Sequence, residues 1–109
     1  MIDWTRVNDL RDEIGADDFN EVVVMFLEEA DEVIARIAST DAPKSLEADL
    51  HFLKGAALNL GFASFATLCQ DGERRAALGE TGLDIAAVQT CYASSKTALA
   101  DGNNAERAA

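Results

Sequence analysis

The feature that most constrains the fold is a run of apolar residues, at three- and four-residue spacings, between positions 19 and 37. Such spacing puts every member on one side of an α-helix and leaves the opposite side to charged residues. The members are Phe19, Val22, Val23, Phe26, Leu27, Ala30, Val33, Ile34 and Ile37. Asp17 and Asp18 precede the run. They would lie at the N-terminal end of the helix, which carries partial positive charge and favours acidic residues. The pattern predicts one long amphipathic helix from Asp17 to about Ser39.

Shorter segments of the same kind occupy most of the remaining chain. They predict a short helix before the long one and three helices after it, over residues 2–14, 43–60, 64–78 and 83–99. Because the connections are short, we expect the four longer helices to form an antiparallel bundle, with the short N-terminal helix as a lid. We therefore predict an all-α fold and a single domain over residues 1–109, with a tail that frays from about residue 101.

The balance of charge excludes several classes of partner. Nine Lys and Arg stand against 20 Asp and Glu, which gives a formal net charge of −11. Nucleic acids and anionic membrane surfaces both require a basic face, so neither is an expected partner. The charge favours a monomer and, in a partner protein, a surface that carries a metal ion or a positive patch.

The cysteines and the hydropathy pattern set the expected compartment. Cys69 and Cys91 lie among apolar residues, so we expect two reduced thiols rather than a disulfide. No set of Cys and His residues has the spacing of a zinc site, and we expect neither a metal nor a cofactor. The N-terminal residues do not resemble a signal peptide, and no stretch approaches the ~20 apolar residues of a membrane span. These observations predict a cytoplasmic protein.

The third predicted helix carries the residues of chemical interest. Its core stripe steps by four, three, four and three residues, through Leu46, Leu50, Leu53, Ala57 and Leu60. At ~100° per residue, His51 lies about 140° from the centre of this stripe and Gly55 roughly opposite it, with Lys54 at the border of the same exposed face. A glycine inside a helix costs about 1 kcal/mol relative to alanine. An outward-facing glycine one turn from the only histidine therefore indicates that another protein approaches closely there.

The residue types on this face fit phosphoryl transfer. The imidazole of histidine is largely neutral at pH 7, and a ring nitrogen is then a nucleophile that can form a covalent phosphohistidine. Lys54 is placed to offset the charge of the transferring phosphoryl group. Phe52 and Leu58 also lie outside the core stripe. We expect them either in the core at the flanks of the bundle or in an apolar docking patch around His51.

At this point the sequence resembles a known family. His51-Phe52-Leu53-Lys54-Gly55, followed by Asn59-Leu60-Gly61, resembles the signature of histidine-containing phosphotransfer (HPt) domains. The resemblance extends from Asp3-Trp4 to about Arg75. It implies a helical bundle that carries phosphoryl groups between the aspartates of receiver domains in two-component relays. It further implies that His51 is phosphorylated, that Lys54 and Gly55 support the site, and that Glu73 occupies a position near the ring.

Two positions depart from the family pattern. Gly72 stands where a bulky apolar residue is usual, which would remove core volume and weaken the fourth helix beside Glu73. Ala56 replaces a frequent serine, which removes a hydroxyl near the site. Three roles for Glu73 stay open: it accepts the Nδ1 proton of His51 and orients the ring, it repels the incoming phosphoryl group, or it is a solvated surface residue.

Three functions are compatible with these residues. The first is a phosphocarrier with no kinase or ATPase activity of its own, which exchanges phosphate with receiver domains of response regulators or hybrid histidine kinases. The second is an interaction module that binds and sequesters a receiver domain without relaying phosphate. The third is a hydrolase with His51 as general base. It is disfavoured because no Ser or Cys nucleophile with an orienting carboxylate is recognisable. No Gly-rich phosphate loop is recognisable either, so ATP and magnesium are expected to belong to the partners.

Overall fold

The structure of the protein is a computed structural model. It describes residues 2–39, 43–80 and 82–108, and the described part of the chain contains five helices. They are α1 (Trp4–Ile14), α2 (Ala16–Ile37), α3 (Pro43–Leu60), α4 (Ala63–Ala77) and α5 (Ile85–Ala108). The predicted all-α class is confirmed: α2 to α5 form a helical bundle, and the shorter α1 packs on α2 and α3.

The core lies between these helices and follows the predicted apolar stripes. All five residues of the α3 stripe are buried, and so are Phe19, Val23, Ala30, Val33 and Ile37 on α2. Helices α4 and α5 add Phe65, Cys69, Val88, Tyr92 and Leu99. Burial raises the pKa of the Cys69 thiol to about 12, and both cysteines are free thiols, as expected.

The turn between α3 and α4 holds the site helix against its neighbour. Gly61 has a φ of 76°, and a Cβ atom there would lie 2.7 Å from the Asp3 carbonyl oxygen, so glycine fits both the backbone angle and the close approach. The Gly61 carbonyl accepts a 2.7 Å hydrogen bond from the Asp3 N–H. The N-terminal segment thus fixes the end of α3, while the side chain of Asp3 accepts a hydrogen bond from the Arg6 N–H at the start of α1.

Gly72 has a packing role that the sequence did not reveal. A Cβ atom at this position would lie 3.0 Å from Cδ1 of Leu50, so glycine permits a close approach of α4 to α3 beside the site. A cavity of about 230 Å³ adjoins it, lined by Leu50, Leu68, Gly72, Leu83 and Val88 among others. The expected loss of side-chain volume is therefore accompanied by tight contact between the two helices.

Two polar contacts tie α2 to its neighbours. The Arg36 guanidinium donates two hydrogen bonds to Asp49 on α3, at 3.1 and 2.7 Å. On the α5 side, Asp31 accepts hydrogen bonds from the Tyr92 hydroxyl at 2.5 Å and the Lys96 ammonium at 3.0 Å. The α2–α3 pair fixes the register of two consecutive antiparallel helices.

Some helix boundaries differ from the prediction. Helix α5 continues to Ala108, so the end predicted at Leu99 was placed too early, and the helix includes the segment from residue 101 that was expected to fray. The indole of Trp4 occupies the space that a Cβ atom at Gly102 would need, and this contact supports the extra turns. The predicted connectors at 39–43 and 79–82 contain residues 40–42 and 81, which lie outside the described residues. No helix in the described ranges is both long and apolar enough to cross a bilayer.

Candidate functional site

The core packing of α3 determines which of its side chains face outward. Because the stripe from Leu46 to Leu60 is buried, the opposite face is exposed, and the side chain of His51 is 67% accessible to solvent. Gly55 lies one turn further on, and a Cβ atom there would meet nothing within 4 Å. The predicted outward orientation of both residues is confirmed. The backbone next to the histidine is therefore open to a large partner.

Glu73 on α4 connects the histidine to the lysine. Its Oε1 lies 2.8 Å from Nδ1 of His51, and its Oε2 lies 2.9 Å from Nζ of Lys54. Oε2 is shielded from solvent, and it forms an ion pair with the Lys54 ammonium. Of the three roles open for Glu73, the solvated surface residue is wrong, because one carboxylate links both site residues.

The electrostatics of this cluster set the protonation of its groups. The Lys54 ammonium is the main cause that lowers the pKa of Glu73 below its ordinary 4.5; burial opposes it, and His51 adds to it. Glu73 is therefore ionised near neutral pH and acts as an acceptor. Since Nδ1 faces this acceptor, the Nδ1 tautomer of the neutral ring is favoured, and the lone pair lies on Nε2. The geometry thus provides an exposed ring with one nitrogen held and the other available.

Asn59 supports the turn of α3 that contains Gly55, a role that the sequence pattern did not indicate. Its side-chain Nδ2 donates a 3.2 Å hydrogen bond to the Gly55 carbonyl, and its Oδ1 accepts a 3.5 Å contact from Arg6 on α1. The side chain adds a second donor to a turn that has low helix propensity. Its spacing four residues after the glycine was the available signal, because side chains at that distance share one face of a helix.

Two large apolar side chains border the histidine on the exposed face. Phe52 is 39% and Leu58 58% accessible to solvent, so the expectation that they lie in the core at the bundle flanks is wrong. Met25 on α2 is 52% accessible. Exposed apolar groups beside a chemically competent residue are typical of a protein-binding surface.

No group of three or more His, Cys, Asp or Glu side chains among the described residues has the arrangement of a metal site. A polar groove of about 250 Å³ adjoins Lys54 and Glu73 and is also lined by Glu47, Gln70 and Arg74. Its charged side chains are of both signs.

Comparison with protein-family models identifies the Hpt domain over residues 21–101. This match assigns the chain to a class of protein, the helical phosphotransfer domains of two-component signalling. The match spans most of the sequence, and the chain belongs to the Hpt-domain family. The matched region begins within α2, so α1 lies outside it, although the resemblance noted in the sequence began at Asp3-Trp4. Searches of curated proteins and of solved structures found no match.

Proposed function

We propose that this protein is a phosphocarrier in which His51 accepts a phosphoryl group from a receiver-domain aspartate or a kinase and passes it to another receiver. Hpt domains carry phosphoryl groups without kinase activity of their own, and they interact with receiver domains. The observation that carries the proposal is the exposed His51 ring whose Nδ1 is 2.8 Å from Glu73.

The transfer step uses the nitrogen that Glu73 leaves free. The Nε2 lone pair attacks the phosphorus of an aspartyl phosphate, an N–P bond forms, and the P–O bond breaks with its electron pair going to the departing carboxylate. The Nδ1 proton stays on the ring, which then carries positive charge next to the Glu73 carboxylate. The reverse sequence discharges the phosphoryl group onto a second receiver. Glu73 is thus a positioning residue that also stabilises the charged ring.

Lys54 provides positive charge close to the reacting nitrogen. Its side chain is one helical turn from His51 and is anchored by Glu73 at 2.9 Å. Charge builds up on the phosphoryl oxygens during transfer, so a fixed ammonium stabilises that state more than it stabilises docking. Holding the lysine in advance avoids the entropic cost of recruiting a flexible side chain.

Gly55, Phe52 and Leu58 form the proposed docking surface. The bare backbone at Gly55 allows the receiver to bring its aspartate within bonding distance of Nε2. Phe52 and Leu58 bury apolar surface on docking, which is the main favourable contribution to most protein association. Any ATP and magnesium needed in the relay belong to the partner proteins.

The test is phosphorylation of the purified chain by a small acyl phosphate or by a phosphorylated receiver. We expect an acid-labile, alkali-stable label that is absent in His51→Gln and retained in Thr90→Ala, an exposed control on α5 away from the site. A label that survives in His51→Gln contradicts the assignment. Receiver binding with no label on the unaltered chain supports the sequestering module instead.

A further inference from the structure

The exposed face around His51 on α3 is bordered by α2 on one side, the α2 edge, and by α4 on the other, the α4 edge. The Arg36–Asp49 pair shows how the α2 edge is arranged. This pair joins α2 to α3 in an antiparallel arrangement. One turn back along α2 from Arg36 is Glu32, and one turn forward along α3 from Asp49 is Phe52. Because the helices are antiparallel, these two steps run in the same direction in space. Glu32 therefore lies alongside the exposed Phe52.

The α2 edge is acidic. Glu29 lies one turn beyond Glu32 on the same side of α2, and both side chains are exposed. The cation on this edge, Arg36, is bound through two hydrogen bonds by Asp49, so its charge is already compensated. Glu29 and Glu32 therefore add negative charge beside the apolar patch.

The α4 edge is different because its charges compensate one another. The Glu73 carboxylate faces the Lys54 ammonium at 2.9 Å. The groove beside this pair is lined by one further charge of each sign, Glu47 and Arg74. The field across the docking face is thus uneven, with its negative side along α2.

We propose that Glu29 and Glu32 select the partner: the receiver domain that docks on His51 presents a Lys/Arg-rich edge to α2 and an apolar centre to Phe52 and Leu58. This inference rests on the proposed phosphocarrier function and adds the chemistry of the partner. Two observations carry it: the exposed apolar patch next to the histidine, and the excess of negative charge on one edge only. Charge at the rim of an interface mainly accelerates encounter and rejects partners of like charge.

The test measures association of unphosphorylated receiver domains from the same organism, with and without a Lys/Arg cluster near the phosphorylatable aspartate. The variant is Glu29→Gln/Glu32→Gln, and the matched control is Asp9→Asn/Asp12→Asn, which removes the same charge from exposed positions on α1. We expect the α2 variant to associate with basic-edged receivers about threefold to tenfold more slowly at low salt. Its rate should also depend less on salt. The control should keep most of the original rate.

Reversal of charge gives the sharper result. Glu29→Lys/Glu32→Lys should bind basic-edged receivers poorly, and Lys→Glu changes on the receiver edge should restore association. Equal rates for the α2 variant and the α1 control, or preferred binding of receivers without a basic cluster, would overturn the inference.

The measurement also distinguishes this inference from the proposed function, since docking does not require a phosphoryl group. Charge-dependent docking without transfer to His51 contradicts the phosphocarrier and leaves the edge selection standing. Transfer to His51 without charge-dependent docking supports the phosphocarrier and overturns the edge selection.

Discussion

Two side-chain clusters in this molecule each combine a carboxylate, a lysine ammonium and a side chain with a ring, and they differ in exposure to solvent. On α3 and α4, the Glu73 carboxylate contacts a ring nitrogen of His51 and the Lys54 ammonium. Between α2 and α5, the Asp31 carboxylate contacts the hydroxyl of Tyr92 and the ammonium of Lys96. The ring of His51 is 67% exposed, whereas Tyr92 is buried.

The difference in exposure separates the proposed phosphotransfer site from a cluster that joins two helices. Burial, followed by the hydrogen bond to Asp31, raises the pKa of the Tyr92 hydroxyl, so the group stays protonated and acts as a fixed donor. Burial would raise the pKa of Asp31 as well, but the hydrogen bonds from Tyr92 and Lys96 outweigh it and lower that pKa. The α2–α5 cluster therefore fastens two helices, and the exposed cluster leaves one ring nitrogen for a partner.

The largest expected difference between the two clusters concerns their lysines. Lys54→Ala should slow phosphotransfer about 100-fold, because it removes a charge that stabilises the transition state, while receiver binding changes little. Lys96→Ala is the matched control and should leave the transfer rate unchanged. Rapid-quench kinetics and binding titrations on both variants provide the check. Equal losses of binding and transfer in Lys54→Ala would make Lys54 a docking charge only.

Gly55→Gln tests whether the exposed cluster depends on close approach. The new side chain meets nothing in the isolated protein, so the fold should persist and gain up to about 1 kcal/mol of stability from better helix propensity. Transfer to and from a receiver should slow about tenfold, since the side chain occupies the partner's space. Ala93→Gln, at an exposed position on α5, should have no effect on transfer. An unfolded Gly55→Gln with an unchanged rate per folded molecule would make Gly55 a packing residue.

Tyr92→Phe tests the structural cluster. Loss of the hydroxyl should lower the free energy of unfolding by about 1–2 kcal/mol, because a hydrogen bond to a charged group disappears while Asp31 keeps Lys96 and water. Urea denaturation monitored by circular dichroism measures this change. The transfer rate per folded molecule should stay as it is. A slower transfer in Tyr92→Phe would show that the two clusters are coupled.

The smallest expected effect is that of Glu73→Gln. The amide oxygen still accepts the Nδ1 proton, but the negative charge that stabilises the positively charged phosphorylated ring is lost. Because that charged ring is the better leaving group when the N–P bond breaks, the phosphohistidine should hydrolyse a few times more slowly. The pKa of Glu73 is lowered on folding, so its ionised form stabilises the fold above about pH 4.5, and this contribution is lost as the pH falls through the lowered value. The difference in free energy of unfolding between the unaltered protein and Glu73→Gln should therefore shrink in acid. An unchanged lifetime together with a pH-independent difference would remove Glu73 from the site.

Periodic apolar spacing was sufficient to predict the helices and the orientation of α3. The stripe from Leu46 to Leu60 is buried as predicted, and this alone turns His51 and Gly55 outward. The sequence did not predict the continuation of α5 to Ala108, because its support is a contact between Trp4 and Gly102, residues that are distant in the chain.

The parts of the site that the sequence left open depend on packing between helices. Whether Glu73 reaches His51 is decided by the distance between α3 and α4. Gly72 allows this distance to be short, because it has no side chain to displace Leu50. The exposure of Phe52 and Leu58 depends on how far α2 and α4 extend over α3. Local sequence patterns carry no direct information on the distance between two helices or on how far one helix covers another.

The proposed mechanism requires that Glu73 hold Nδ1 and leave Nε2 of His51 as the phosphoryl acceptor. Nitrogen-15 and phosphorus-31 NMR of the phosphorylated chain, with labelled histidine, tests it directly. Because the chain contains one histidine, the spectrum is assigned without further variants. We expect a single phosphohistidine in which phosphorus couples to Nε2. Phosphorus bonded to Nδ1, or to any residue other than His51, would contradict it.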